Sequence, residues 1–285
     1  MRLLFLTLVA LIAFAANSVL CRLALGSGII DASSFTAIRL FSGAVVLALL
    51  LSWRASRREC SSERFHPAGS WRAAIYLFVY AAAFSYGYLT LDTGSGALIL
   101  FGAVQVTMIL VTLVDGNKLT AAEWIGVICA FTGFVYLLWP NLELPSLTGF
   151  LLMAAAGIAW GLYTLTGRQS EKPLSDTAWN FIRSLPLVML LAIAALPAAA
   201  WSNAGIWLAV ASGALASGLG YAIWYQALSQ LTATQAAVLQ LLVPVLAALG
   251  GVLFVDEQIS LRLLIASAVV LGGILLVVLS KQQAH

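Results

Sequence analysis

Ten apolar segments of spanning length, a charge content too low for a soluble protein, and matched residues about 140 positions apart predict an all-α integral membrane protein. Its expected architecture is ten transmembrane helices built as two inverted-topology five-helix repeats, residues 1–140 and 141–285 of one integrated membrane domain. The chain is 62% hydrophobic and 9% charged, where a soluble domain carries about 25% charge. A water-soluble globule of this composition would leave far too much apolar surface exposed. The net charge of +3 does not indicate nucleic acid, because the basic residues sit in loops and act as topology signals.

The spans are read in order as Leu3–Leu23, Ser33–Trp53, Trp71–Leu91, Gly94–Val114, Ala122–Trp139, Leu147–Thr166, Asp176–Leu196, Ile206–Leu228, Thr232–Val255 and Leu261–Ser280. Arg2 and the run Leu3–Ala13 have the form of a signal peptide, but the apolar run continues to Leu20 and no soluble domain follows. The segment is therefore read as the first span. Arg2, Arg54, Arg57, Arg58, Arg64, Arg72, Lys118, Arg168, Lys172 and Lys281 fall on one side of the weave. Asp31, Asp92, Glu143, Asp256 and Glu257 fall on the other, with Arg262 the basic exception. The positive-inside rule then places both termini in the cytoplasm of a multi-pass protein of the bacterial inner membrane. Trp53, Trp71, Trp139, Trp201 and Trp207 read as an interfacial belt.

The repeat rests on ordered matches. Ala13-Phe14 and Arg22 in the first span match Ala159-Trp160 and Arg168 in the sixth, at an offset of 146. Ile38-Arg39 matches Ile182-Arg183 at 144; Phe84 and Tyr88 match Tyr221 and Tyr225 at 137; Gly133 matches Gly273 at 140. Each half has five spans, an odd number, so the second half enters the membrane from the opposite side. That construction is common in secondary transporters and puts a substrate near the midplane between the halves. The ninth span, closing on Pro244–Glu257, carries a proline near the middle of its apolar run. The proline removes an N–H and frees a carbonyl, which lipid cannot satisfy, so this helix is expected to face inward.

These residues resemble the drug/metabolite transporter superfamily in its ten-helix EamA-type branch. Trp160-Gly161-Leu162-Tyr163 is similar to the family's Trp-Gly signature, and Pro244 to Glu257 with Ile259-Ser260 is similar to its proline-to-acid ninth helix and turn. Gly272-Gly273 stands where the last helix of the family carries glycine. The first half departs from the pattern: Phe14-Ala15-Ala16-Asn17 replaces Trp-Gly, Gln105 stands near the repeat position of Pro244, and Asn117-Lys118 stands where an acid is frequent. The resemblance implies export of amino acids, related metabolites or drugs.

Candidate site residues follow from depth and chemistry. Tyr76, Tyr80, Phe84 and Tyr88 recur every four residues, and Tyr221, Trp224 and Tyr225 form the counterpart stripe. Such a stripe lines a cavity or, toward the interface, packs in the belt. Asn17, Gln105, Gln240, Tyr163 and Asn180 are uncharged polar groups at interior depth, fit either to bond helices together or to orient a ligand. Arg39 and Arg183 are intramembrane cations, each either capping carbonyls at a neighbouring helix end or anchoring an anion. Repeat symmetry favours the structural role for both. Arg183 is the better candidate for a substrate carboxylate, and Arg39 is expected to be structural. The expected substrate site is Asn17, Tyr80, Phe84, Gln105, Trp160, Tyr163, Arg183, Tyr221, Trp224 and Gln240.

The three cysteines, Cys21, Cys60 and Cys129, are odd in number and lack CxxC spacing, and the two histidines are His66 and His285. No metal, cofactor or disulfide framework is expected. Asp92, Asp115 and Glu123 lie at span ends, which argues against a central proton relay and leaves Asp92 as the one fallback. No nucleophile–base pair or metal cluster stands at membrane depth, so an enzyme is not expected. Only Arg54–Ser70 is long enough for a recognition loop, which disfavours a receptor. The expectation is a secondary transporter that exports a small amphipathic metabolite by alternating access, with a channel or an uptake carrier as the alternative. Its partners are a small-molecule substrate and the lipid bilayer, and the sequence does not choose between monomer and homodimer.

Overall fold

The computed structural model describes residues 2–57, 68–114, 120–138, 146–167, 170–228, 230–231 and 239–283. Arg58, Cys60, Arg64, His66, Asp115, Asn117, Lys118, Trp139, Glu143, Arg168 and His285 lie outside the described residues, as does the expected start of the ninth span at Thr232. The described residues form ten helices: α1 Arg2–Gly26, α2 Ala32–Arg57, α3 Trp71–Gly87, α4 Thr93–Val114, α5 Ala121–Leu138, α6 Leu147–Gly167, α7 Pro173–Ala195, α8 Asn203–Leu228, α9 Leu242–Val255 and α10 Leu261–Gln283. Six are long and apolar enough to cross a membrane: α1, α2, α4, α6, α7 and α8. At 14 residues α9 is about 21 Å long, short of a hydrocarbon core of about 30 Å. Phe5, Phe41, Phe131, Leu190 and Leu253 are exposed, as the lipid-facing side of a multi-pass membrane protein requires. Trp53, Trp71, Trp201 and Trp207 are exposed too, near helix ends.

Polar residues at the helix starts satisfy N–H groups that no helix bonds internally. Ser70 accepts from the Ala73 N–H at 3.1 Å, and Ser202 from the Gly205 N–H at 3.1 Å. Thr120 and Glu123 form a reciprocal box at the start of α5: the Thr120 hydroxyl accepts from Glu123 N–H at 3.3 Å, and Glu123 Oε2 accepts from Thr120 N–H at 2.6 Å. Ser260 does the same for α10, accepting from Leu263 N–H at 3.1 Å. The sequence shows the Thr-x-x-Glu spacing, which explains why Glu123 is buried at a span end without acting in the centre.

α3 packs on α6 and α8 on α1; α4 on α6 and α9 on α1; α3 on α7 and α8 on α2. The pairs α2–α7, α4–α9 and α5–α10 face each other directly. Exchanging α1–α5 for α6–α10 therefore returns nearly the same set of neighbours. The connections repeat the relation. Asp31, at the start of α2, accepts from the Ala200 N–H ahead of α8 at 3.1 Å. Asp176, in the first turn of α7, accepts from the Gly69 N–H ahead of α3 at 2.8 Å.

The glycines of α5 and α10 differ in what they contact, and one expectation, on Pro244, needs correction. Gly126 and Gly273 do bring α5 and α10 into contact: a Cβ on Gly126 would meet the Gly273 carbonyl oxygen at 2.4 Å. A Cβ on Gly272 would meet nothing within 4 Å, so only its neighbour packs. Pro244 is not a mid-helix kink. The helix starts at Leu242, placing Pro244 in the first turn, where its missing N–H removes no helical bond. α9 ends at Asp256, which takes the left-handed conformation at φ 57°.

Candidate functional site

The centre of the protein is an aromatic cage contributed by α1, α3, α6 and α8. Trp160 is its hub, with ring centroids 4.8 Å from Tyr80, 4.8 Å from Tyr221, 5.4 Å from Tyr163 and 6.2 Å from Phe14. Phe14 also meets Tyr221 at 5.8 Å and Trp224 at 5.6 Å, and Phe84 meets Tyr80 at 5.5 Å. Tilted and edge-on pairs of this kind contribute about 0.5–1.5 kcal/mol each beyond burial. Phe14, Asn17, Tyr80, Phe84, Leu100, Phe101, Trp160 and Tyr221 enclose a cavity of about 10 Å³. That is the room of a single water, so the cage as it stands is closed around no larger ligand.

Asn17 and Tyr80 are polar lining groups, and a polar network continues behind them through Arg39, Ser212 and Ser217, which do not line the cavity. Tyr80 Oη accepts from Arg39 Nη2 at 2.9 Å and from Asn17 Nδ2 at 3.3 Å. Asn17 Oδ1 in turn accepts from the Ser212 hydroxyl, and Arg39 Nε donates to the Ser217 hydroxyl at 3.2 Å. Both serines belong to a π-helical stretch of α8, Ser212–Leu219, between α-helical turns. Wider turns of this type gather at functional sites. The close fit here comes from Gly213, where a Cβ would sit 2.1 Å from the Arg39 carbonyl oxygen. Arg39 is 1% exposed and lies over the rings of Phe84 at 4.8 Å and Tyr80 at 5.1 Å. A charge at this depth costs roughly 2.5–3.5 kcal/mol on insertion scales, which its two hydroxyls and two ring faces offset in part.

Of the residues expected at a site, Asn17, Tyr80, Phe84, Trp160 and Tyr221 line the cavity. Tyr163 and Trp224 are buried behind it against Trp160 and Phe14. Gln105 is buried on α4 one turn beyond Phe101, and Gln240 is buried just ahead of α9; neither lines the cavity. Arg183 stands elsewhere. Its Nη1 donates to the Ala68 carbonyl ahead of α3, and its guanidinium lies 5.8 Å from the Trp179 ring. Asn180 likewise serves that connection, accepting from Ser70 N–H at 3.0 Å. Sequence reasoning missed Phe14, Leu100 and Phe101 as lining. Phe14 precedes Asn17 by three residues and Phe101 precedes Gln105 by four, so the helical period already placed each on a candidate face. The role of Ser212 and Ser217 had no such signal, because their five-residue spacing aligns only in a π-helix.

A second cluster closes one end. Arg22, near the end of α1, donates from Nε to Glu257 at 3.0 Å, from Nη2 to Asp92 at 3.3 Å and from Nη1 to the Tyr88 carbonyl at 3.2 Å. Glu257 also accepts from the Thr93 N–H at 2.9 Å. A cavity of about 360 Å³ opens beside it, lined by Asp92, Glu257 and Arg262 among others. Asp92, the fallback proton carrier, is thus an exposed ion-pair partner at a helix end.

The EamA-like transporter family matches residues 147–279, which run from α6 into α10. An uncharacterized protein of Pseudomonas aeruginosa is 52% identical over 276 residues, spanning 97% of this chain and 94% of that protein. The uncharacterized transporter YoaV of Bacillus subtilis is 23% identical over 84% of this chain and 85% of its own length. An uncharacterized transporter of Archaeoglobus fulgidus is 27% identical over 70% and 73%. One solved crystal structure superposes with a TM-score of 0.68 at 21% identity, covering 98% of both chains, and so shares the fold.

Proposed function

Because this chain belongs to the EamA-like transporter family and is a membrane transporter, we propose that it is a secondary carrier exporting a small amphipathic metabolite by alternating access. The observation that carries the reading is the cage itself. Aromatic rings from α1 and α3 meet rings from α6 and α8 in the interior, around a cavity too tight for a solute. Helices must part to admit one, and the π-helical stretch of α8 beside the cavity is a place where they can shift. The near-identity of helix neighbours on exchange of α1–α5 with α6–α10 supports two inverted five-helix repeats, 1–140 and 141–285. The preference for export of amino acids, related metabolites or drugs follows the family resemblance.

In this reading the protein lies in the inner membrane with both termini cytoplasmic, because the basic loops alternate with acidic ones. In a Cys60→Ser background, a membrane-impermeant thiol reagent added outside cells is expected to label Ser27→Cys and to spare Ser56→Cys. The reverse pattern overturns the orientation. For the carrier, a metabolite library is screened for compounds that raise the melting temperature of the purified protein. The best compound is then tested in proteoliposomes. Preloaded unlabelled solute should drive transient accumulation of external label, which a channel does not produce. Absence of that overshoot, with label equilibrating freely, sinks the carrier reading.

A further inference from the structure

We propose that the transported solute is an organic anion, a carboxylate on a flat apolar body, and that Arg39 is the group that recognises it. This rests on the carrier reading above and names the substrate class of the same site. Arg39 is buried on α2, seven residues from the helix start, or roughly 10 Å along it. Its guanidinium stays charged at any working pH. Two of its nitrogens are used, Nη2 on Tyr80 and Nε on Ser217. The third, Nη1, is buried without a hydrogen-bond partner. Every partner it has is neutral. Among the described residues both ion pairs belong to Arg22, and none to Arg39.

A lone buried cation is only partly compensated by hydroxyls and ring faces, so the site favours a ligand that brings the missing charge. A second donor lies nearby. The Tyr221 hydroxyl is buried and makes no hydrogen bond, and Tyr221 lines the cavity together with Tyr80, the residue that holds Arg39 Nη2. An arginine nitrogen and a tyrosine hydroxyl suit the two oxygens of a carboxylate, while Phe14, Phe84 and Trp160 suit a flat apolar body. The lining has no carboxylate to receive an ammonium group, and the ring faces of Tyr80 and Phe84 already answer Arg39, whose charge repels a second cation. The Arg22 cluster shows what a compensated arginine looks like in this protein, held by two acids at a helix end.

Purified full-length protein is titrated with phenylacetate, indoleacetate and 4-methylpentanoate, each beside its neutral amide, and with phenethylammonium and inorganic phosphate. Melting temperature and tryptophan fluorescence are read. At least one carboxylate should bind tenfold or more tightly than its amide, with phenethylammonium weaker still. Arg39→Gln should abolish that preference, Arg39→Lys should keep part of it, and Tyr221→Phe should weaken the acid several-fold more than the amide. Should Arg39→Gln fail to fold, the acid–amide comparison on the unaltered protein and the Tyr221→Phe pair still decide. The proposal is overturned if amide or ammonium binds as tightly as acid, if no carboxylate binds, if phosphate alone binds, or if Arg39→Gln keeps the preference. Counterflow separates the two readings. A neutral or cationic solute carried against its gradient leaves the carrier standing and removes the anion. A selective carboxylate that binds but is not carried leaves the site standing and removes the carrier.

Discussion

Arg39 and Arg183 occupy the same Ile-Arg step, 144 residues apart, on α2 and α7, and their surroundings differ in kind. Arg183 is partly exposed and reaches the Ala68 carbonyl at a helix connection, as a long side chain near a membrane surface can. Arg39 is enclosed by α3 and α8, with Gly213 of α8 pressed against its own carbonyl. It ends on hydroxyls and aromatic faces inside the protein. The proposed repeat copies a side chain but not its contacts, although α3 and α8 flank both α2 and α7. A functional site in such a fold is found where the copies stop being equivalent.

The largest effects should fall on that pair. Arg39→Gln is expected to lower transport in proteoliposomes by more than tenfold. Arg183→Gln should leave transport within about threefold and act mainly on melting temperature, since a charge-assisted bond to a carbonyl contributes about 1.5–3 kcal/mol. Equal transport losses in the two variants would break the comparison and return both arginines to a structural role.

Next in size is the cage. Trp160 and Phe14 occupy matched positions 146 apart and touch each other in the structure. Trp160 also meets Tyr80, Tyr163 and Tyr221. Truncating a buried aromatic to alanine costs roughly 3–5 kcal/mol where the site cannot collapse. Trp160→Ala should therefore destabilise more than Phe14→Ala in thermal melts, with transport lost in both and partly kept in Trp160→Phe. If Phe14→Ala is the worse of the two, Trp160 is not the hub.

Helices were legible from the sequence because apolar runs and turn residues act locally. Nine of the expected starts lie within three residues of the observed ones, and the tenth, Thr232, lies outside the described residues. Five cavity residues were legible because polar and aromatic side chains at interior depth are few in an apolar chain. Two things were not. One was which arginine is enclosed, since that depends on Gly213 and a π-helical turn in a distant helix. The other was the Arg22 cluster, whose members, Arg22, Asp92 and Glu257, are 70 and 235 residues apart from the arginine in the chain.

A third pair tests how far the small residues discriminate. Gly272 and Gly273 are neighbours, but only the second meets α5: a Cβ there would come within 2.6 Å of the Gly126 carbonyl oxygen. Overpacking of this kind costs typically 1–3 kcal/mol. Gly273→Ala should lower the melting temperature measurably. Gly272→Ala should leave it unchanged or raise it slightly, because alanine is the better helix former by about 1 kcal/mol. A similar loss in both would mean that the helix itself, not the α5–α10 contact, is sensitive there.

The smallest effect belongs to Asp31, whose counterpart across the halves is Asp176. Partial burial pushes the Asp31 carboxyl up, but the bonds it accepts from Ser34 and Ala200 outweigh that and hold it below its usual value. The sign follows. A carboxyl lowered by folding contributes stability that is fully present above its unfolded value of about 3.9 and is lost as pH falls through the folded one. Asp31 accepts from Ser34 N–H on Oδ1 and from Ala200 N–H on Oδ2, whereas Asn has a single acceptor oxygen, so Asp31→Asn can keep the cap on α2 but loses the bond to Ala200 together with the charge. The difference in melting temperature between the two proteins should be greatest at neutral pH and should close as the pH drops from about 5 toward 3. A gap that stays constant across that range would show that the bond to Ala200, and not the charge, is what Asp31 supplies to the junction of α2 with α8.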